Sequence, residues 1–240
     1  MTPKGAVEMA DTMMIASDAA ESESSANNAA AATEVDALRV SPAAHLAEMM
    51  AAATVEGERS VALREIRFAV QLGVRVLPGT PASAAVEAAL GLALPRHHGE
   101  VTGDSGGLHG LWLGPDEFLV VDVSRHQRPG DSDAAAAALD GTQGEASLPG
   151  QVLDLSANRT ILELSGASAR AVLEKGCHYD LHPRAFGVGM AIATQLGPVP
   201  VILHRSGDRE FRLYPRASFA DYLVHWLLDA MEEFAAEEVL

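Results

Sequence analysis

Thr160-Ile161-Leu162-Glu163-Leu164-Ser165-Gly166-Ala167-Ser168-Ala169-Arg170-Ala171-Val172-Leu173-Glu174-Lys175-Gly176 sets the architecture of the chain. Thr160 to Leu164 reads as a strand, rich in β-branched and aliphatic residues. Ser165-Gly166 then opens a helix through Ala169, Val172 and Leu173, and Gly176 ends it. Downstream, Met190 to Leu196 and Val199 to Arg205 form a hairpin across Gly197-Pro198. Arg205-Ser206-Gly207-Asp208 turns into a strand from Glu210 to Tyr214. Ser218 caps the last helix, with Asp221 where a capping box uses an acid. Phe219, Tyr222, Leu223, Trp226, Leu227, Ala230 and Phe234 follow helical spacing there. The order is β-α-β-β-β-α.

Upstream the order is similar. Gln71 to Val76 alternates like a half-buried strand. Thr80-Pro81 starts a helix, cap and N1 proline together, which runs from Ala82 to Leu90 and stops at Gly91. His109 to Leu113 and Glu117 to Val123 are strands joined by Gly114-Pro115-Asp116. Asp131 or Ser132 caps a short helix from Asp133 to Leu139, Thr142 to Gly150 is a loop, and Gln151 to Leu155 is a strand. This half reads β-α-β-β-α-β. The fold class is therefore α+β, with two ferredoxin-like split β-α-β units and mostly antiparallel sheets. The units cover about 61–150 and 151–240 of a domain spanning 59–240.

Residues 1–58 are different material. Residues 1–59 hold ten acids against three bases, a net charge of −7, and no aromatic residue. So little large apolar area does not offset the entropy of ordering, which predicts a disordered acidic Ala/Ser/Glu-rich tail. Within it, Ser41-Pro42 can start a helix with Leu46, Met49 and Met50 on one face. It reads as a frayed helix in the tail, or as a short docking helix.

The whole chain has 240 residues, 17 Lys and Arg against 33 Asp and Glu, and a net charge of −16. Such a surface repels phosphate backbones and anionic lipid, so neither nucleic acid nor membrane is an expected partner. The single cysteine, Cys177, leaves no internal disulfide. No apolar run reaches spanning length and no signal-peptide core stands at the start, so the expected location is cytoplasmic.

Two segments look chemical. Cys177-His178-Tyr179-Asp180-Leu181-His182 gathers thiol, imidazole and carboxylate, but matches no closed zinc spacing and has no second ligand cluster. A loop in which Asp180 bonds nearby backbone is the plainer reading. Asp154-Leu155-Ser156-Ala157-Asn158-Arg159-Thr160 contains a serine near an acid, without the strand-to-helix elbow that exposes a nucleophile. A tight connection explains it, with Asn158 in the left-handed region and Arg159 paired with Asp154 or Glu163. His97, His98 and His109 read as loop residues, and His204 and Arg205 as an exposed hairpin end. Neither glycine-rich stretch, Gly103 to Gly110 or Gly187 to Gly189, has dinucleotide spacing. No catalytic set and no metal site is read from these residues.

The same segments carry a family resemblance. Asp154 to Thr160, Leu164-Ser165-Gly166, Ala169 to Leu173, Lys175-Gly176-Cys177, Asp180-Leu181-His182-Pro183-Arg184-Ala185-Phe186, Phe211-Arg212-Leu213 and Ser218 to Leu223 resemble the gamma subunits of heterotetrameric sarcosine oxidase. Leu94-Pro95 and Leu111 to Phe118 are similar to that family too, although Arg96-His97 stands where members often carry Pro-Asn. The resemblance covers about 61–235. It implies an aminomethyltransferase-like fold related to the glycine-cleavage T-protein. It also implies an accessory subunit of an oxidase acting on CH-NH donors, in a complex that converts sarcosine to glycine, passes the one-carbon unit to tetrahydrofolate and makes hydrogen peroxide. The implied partners are alpha, beta and delta subunits, which would hold FAD, FMN, NAD and tetrahydrofolate. Asp154, Ser156, Asn158, Arg159, Thr160, Gly176, Cys177, Asp180, His182 and Pro183 are then signature residues with structural or interface roles. The competing expectation is a stand-alone folate-binding protein of the same superfamily, since Lys175-Gly176-Cys177 with Tyr179 approaches a Lys-Gly-Cys-Tyr motif there. His178 interrupts it. A metal-dependent hydrolase is the third.

Overall fold

The structure is a computed structural model and describes residues 38–140 and 146–236. All named elements lie in one compact unit that begins at Ser41. Residues 1–37 of the expected tail 1–58 and residues 142–145 of the expected loop 142–150 lie outside the described residues.

Among the described residues, ten strands form two five-stranded antiparallel sheets. They are β1 (Ala62–Ile66), β2 (Ala69–Arg75), β3 (Val101–Gly103), β4 (Leu108–Gly114), β5 (Glu117–His126), β6 (Gln151–Asp154), β7 (Ile161–Ser165), β8 (Ala191–Leu196), β9 (Val199–Gly207) and β10 (Glu210–Pro215). The first sheet has the order β3-β4-β5-β2-β6 and the second β1-β7-β10-β9-β8. The helices are α1 (Ala47–Ala52), α2 (Pro81–Leu90), α3 (Asp133–Ala137), α4 (Ala169–Glu174) and α5 (Ala220–Ala235).

The sheets pack face to face, with helices on both outer surfaces. Val70, Leu72, Val74, Phe118 and Val120 meet α2 and α3 residues such as Val86 and Ala135. Leu162, Leu164, Leu203 and Leu213 meet α1, α4 and α5 through Met50, Val172, Leu227 and Met231. Between the sheets lies a seam of Ala69, Leu111, Leu119, Val121, Ile161, Ala191, Ile202 and Tyr214. Because both faces of the central strands are covered, β2, β5 and β9 are buried along most of their length, β2 included although its sequence alternates.

The α+β class with antiparallel sheets holds, and so do most of the expected elements. Thr80 caps α2 by accepting from the Ser83 N–H at 3.4 Å, and Gly91 closes it at φ 64°. The departures have local causes. The strand Ala62–Ile66 went unread because Arg64 and Glu65 sit in its middle, and it does not join the sheet of its own half. It pairs with β7, Ile66 opposite Ile161 and Ala62 opposite Ser165. The segment from Ser41 is no frayed end: Ala43, Leu46 and Met50 are buried in the second sheet's core. Glu65 holds it by accepting from the Ser41 hydroxyl and from the Ala43 N–H at 3.1 Å.

At α5 a 3-10 turn, Ala217–Phe219, precedes the helix, and Ser218 makes no cap bond. Asp221 instead bonds His45 at 2.8 Å. The buried stripe is Leu223, Val224, Leu227, Met231 and Phe234, which leaves Phe219 and Tyr222 exposed. Likewise Ser132 gives α3 no cap bond. Asp131 accepts from the Arg128 N–H and from Arg125.

Candidate functional site

The first signature segment is the crossing from the first sheet to the second, between β6 and β7. Asp154 Oδ1 accepts the Ser156 N–H at 2.9 Å, and Asp154 Oδ2 accepts Gln127 Nε2 at 2.8 Å. Ser156 Oγ accepts the Gln71 N–H at 2.9 Å, so the hydroxyl completes an edge bond of β2. Asn158 accepts the Ala217 N–H through its backbone and Arg216 Nη1 through its side chain. Asn158 is not in the left-handed region; among described non-glycine residues Phe68 alone has positive φ. Arg159 pairs with neither Asp154 nor Glu163. Its Nη1 donates to the Tyr214 carbonyl at 2.9 Å, and its own carbonyl accepts Gln71 Nε2 at 2.8 Å. Thr160 donates to Glu65, which already holds the Ser41 segment. Each polar side chain of the set is hydrogen-bonded at the point where the chain changes sheets.

The second segment follows α4. Cys177 N–H donates to the Leu173 carbonyl at 2.8 Å, its backbone forms an isolated β-bridge with Leu196 on β8, and its thiol is free and half-buried. A Cβ on Gly176 would come within 2.5 Å of Trp226 Cζ2, so only glycine lets α5 approach so closely. Asp180 Oδ1 accepts the His182 N–H at 2.9 Å, and His182 Nδ1 accepts the Arg184 N–H at 3.2 Å. The His182 carbonyl accepts the N–H groups of Ala185 and Phe186 across Pro183. Imidazole and carboxylate thus shape a turn. Among the described residues no three His, Cys, Asp or Glu side chains gather as a metal requires.

The densest polar cluster lies elsewhere, inside the sheet seam. His109 and His204 are both fully buried, with ring centroids 5.3 Å apart. They differ from the loop and hairpin-end positions expected for them. β4 begins at Leu108, before His109, and β9 runs on to Gly207, past His204. His109 faces the Tyr214 hydroxyl and His204 faces Ser105 Oγ, each at 3.4 Å. Buried Glu163 accepts Arg212 Nε at 3.0 Å and Arg64 Nε at 2.7 Å. Arg212 also donates to the Ser105 carbonyl, which ties the second sheet to the loop between β3 and β4.

Burial pushes His204 down to about 3, helped by His109 and the Arg212 charge. His109 is lowered too, chiefly by burial. Burial also raises the Tyr214 phenol. At neutral pH the seam therefore holds two neutral imidazoles and a neutral phenol, beside the Arg64–Glu163–Arg212 salt bridges. Chemically it is a proton-poor, solvent-excluded joint. No sequence signal marked it, because Arg64, Glu163 and Arg212 meet only when β1, β7 and β10 pair, and His109 on β4 meets His204 and Tyr214 only when the sheets stack.

Known proteins give this geometry a lineage. A model of the sarcosine oxidase, gamma subunit family matches residues 78–233. The sarcosine oxidase subunit gamma of Corynebacterium sp. (strain U-96) is 53% identical over 202 residues, covering 84% of this chain and 94% of that protein. The subunit gamma of an Arthrobacter species is 52% identical over 206 residues, 86% of this chain and 96% of its own. A chain in the solved heterotetrameric sarcosine oxidase of Corynebacterium sp. U-96, in complex with pyrrole 2-carboxylate, superposes with a TM-score of 0.78 over 85% of this chain and all of its own. A glycine cleavage system aminomethyltransferase T from Bartonella henselae, 18% identical, shares the fold at a TM-score of 0.54, over 80% of this chain and 57% of its own. With half the residues identical across nearly the whole folded body, and the same two-sheet frame, this chain belongs to the sarcosine oxidase gamma subunit family.

Proposed function

We propose that the chain works as the non-catalytic gamma subunit of a heterotetrameric sarcosine oxidase. In this reading the complex oxidises sarcosine to glycine, transfers the one-carbon unit to tetrahydrofolate and reduces oxygen to hydrogen peroxide. FAD, FMN, NAD and tetrahydrofolate sit on the alpha, beta and delta partners, in the cytoplasm. The observation that carries the proposal is the fate of the reactive-looking side chains. Asp154, Ser156, Asp180 and His182 bond backbone N–H groups, and His109 and His204 are sealed between sheets. These contacts support a structural use of the signature residues, with Asp154, Asp180 and His182 shaping turns at the surface and the two buried imidazoles out of a substrate's reach.

Co-expression of the full chain with the other three subunits tests this. The expected result is a stable complex from which the gamma chain does not separate on size exclusion. A chain that never co-purifies would refute the proposal. Titration of the isolated chain with tetrahydrofolate separates the runner-up: tight binding without partners favours a stand-alone folate-binding protein.

A further inference from the structure

An open groove of about 370 Å³ crosses the second sheet, lined by Arg159 and by residues of β8 and β9. Ala193, Pro200 and Ile202 share one face of the β8–β9 pair and give it an apolar wall, with Gln195 as the polar residue on that face. Arg159 is half-buried, and its Nη1–Tyr214 carbonyl bond holds the guanidinium in place. Beside it stands Arg216, which bonds Asn158 Oδ1 at 3.4 Å and bridges to Arg159 through the backbone. Among the described residues, neither arginine has a carboxylate within ion-pair distance. Glu117, whose charge reaches Arg159, is bound to Arg75 at 2.8 Å. Burial and the Arg216 charge both disfavour the Arg159 cation.

Arg159 and Arg216 set two guanidinium groups side by side at the groove of a chain with a net charge of −16. Arg64, Arg75, Arg96, Arg125, Arg170 and Arg212 each have a carboxylate partner, and the buried Arg205 is satisfied by the Phe186 and Asp208 carbonyls. A partly desolvated guanidinium recovers the most when a carboxylate docks on its planar face of donors. Electrostatic complementarity of this kind sets partner choice and register at interfaces. We infer that this groove receives a segment of a partner subunit in which an acidic side chain, flanked by apolar residues, pairs with Arg159 and Arg216. The inference rests on the subunit reading above. The carboxylate meets the two guanidinium groups, its apolar neighbours cover Ala193 and Pro200, and Gln195 serves the segment's backbone.

The test uses the full chain co-expressed with the other sarcosine oxidase subunits, with dilution and salt series on size exclusion. Arg159→Gln should weaken retention of gamma roughly 30-fold, the scale for truncating one partner of a buried charge pair. Arg216→Glu and Gln195→Glu change exposed side chains, so the fold survives. Each should weaken retention about tenfold, and all three should flatten its salt dependence. Melting of each isolated variant within a few degrees of wild type separates lost docking from lost folding. If wild type assembles and the three variants assemble equally well, the groove inference is overturned and the subunit reading stands. If wild type does not assemble, both fall. Self-association of isolated gamma that the same variants abolish would also overturn it, since the groove would then be a homodimer face.

Discussion

Taking the chain from about pH 8 to about pH 5 should cost roughly 2 kcal/mol of folding free energy through His204 alone. Folded His204 is sealed, with its Nδ1 lacking any hydrogen-bond partner. Its surroundings offer a proton nothing: Ser105 Oγ at 3.4 Å, the His109 ring, and the Arg212 guanidinium, with Glu163 already occupied by Arg212 and Arg64. Its folded value of about 3 lies far below the ordinary 6.5 of the unfolded chain. Between those values the unfolded state binds a proton that the folded state refuses. Stability is therefore complete above about pH 6.5 and falls as pH drops toward 3. At pH 5 the loss is RT ln(1 + 10^1.5), about 2 kcal/mol, and it depends on the unfolded value as long as the folded one stays below about 4. Urea unfolding of wild type and His204→Gln at both pH values isolates it, because glutamine stays neutral throughout and every other titrating group is shared. The wild type should lose about 2 kcal/mol more than the variant. Equal losses would mean that His204 takes up its proton while folded, and would refute the solvent-excluded seam.

Two further perturbations probe the frame. Glu163→Ala strands Arg212, whose side chain is 7% exposed, and should cost about 3–5 kcal/mol, whereas Arg64→Ala on the 69% exposed partner should cost at most about 1 kcal/mol; denaturant titration compares them, and equal costs would deny the seam its buried charge. Met50→Ala should cost about 2–5 kcal/mol and Met49→Ala, 48% exposed, less than about 0.5 kcal/mol; melting curves that do not separate the two would show that the Ser41 segment is not part of the core.

Elements governed by local rules were legible in the sequence. The Thr80-Pro81 start and Gly91 stop of α2, the hairpins at Gly114-Pro115-Asp116 and Gly197-Pro198, and the β7–α4 unit all follow from residues within a few positions of one another. What failed was non-local. Arg64 and Glu65 argue against a strand until Glu163, Ser41 and Thr160 arrive from elsewhere. His204 reads as a hairpin end because the turn was placed at Arg205, while β9 extends to Gly207. The Ser41 helix looked too weak to order, since its apolar face gains its energy only by packing on the second sheet. Of the site, the two signature segments were found but their bonds were not: Arg159 looked toward acids nearby in sequence and instead holds the Tyr214 carbonyl, 55 residues on.

The displaced first strand also bears on how the protein is born. Ile66 pairs with Ile161, 95 residues later. At about 5–20 residues per second of synthesis, β1 leaves the ribosome roughly 5–20 s before its neighbour exists. The first sheet can close meanwhile, but Ala62–Ile66 must wait as an unpaired edge, the state in which strands recruit the wrong partner. Arg64 and Glu65 in its centre act as gatekeepers during that wait. Once β7 arrives the same two charges change employment, one joining Glu163 and the other fastening Ser41 and Thr160. The residues that hide the strand from its sequence pattern are of the kind that discourages a waiting edge from pairing wrongly.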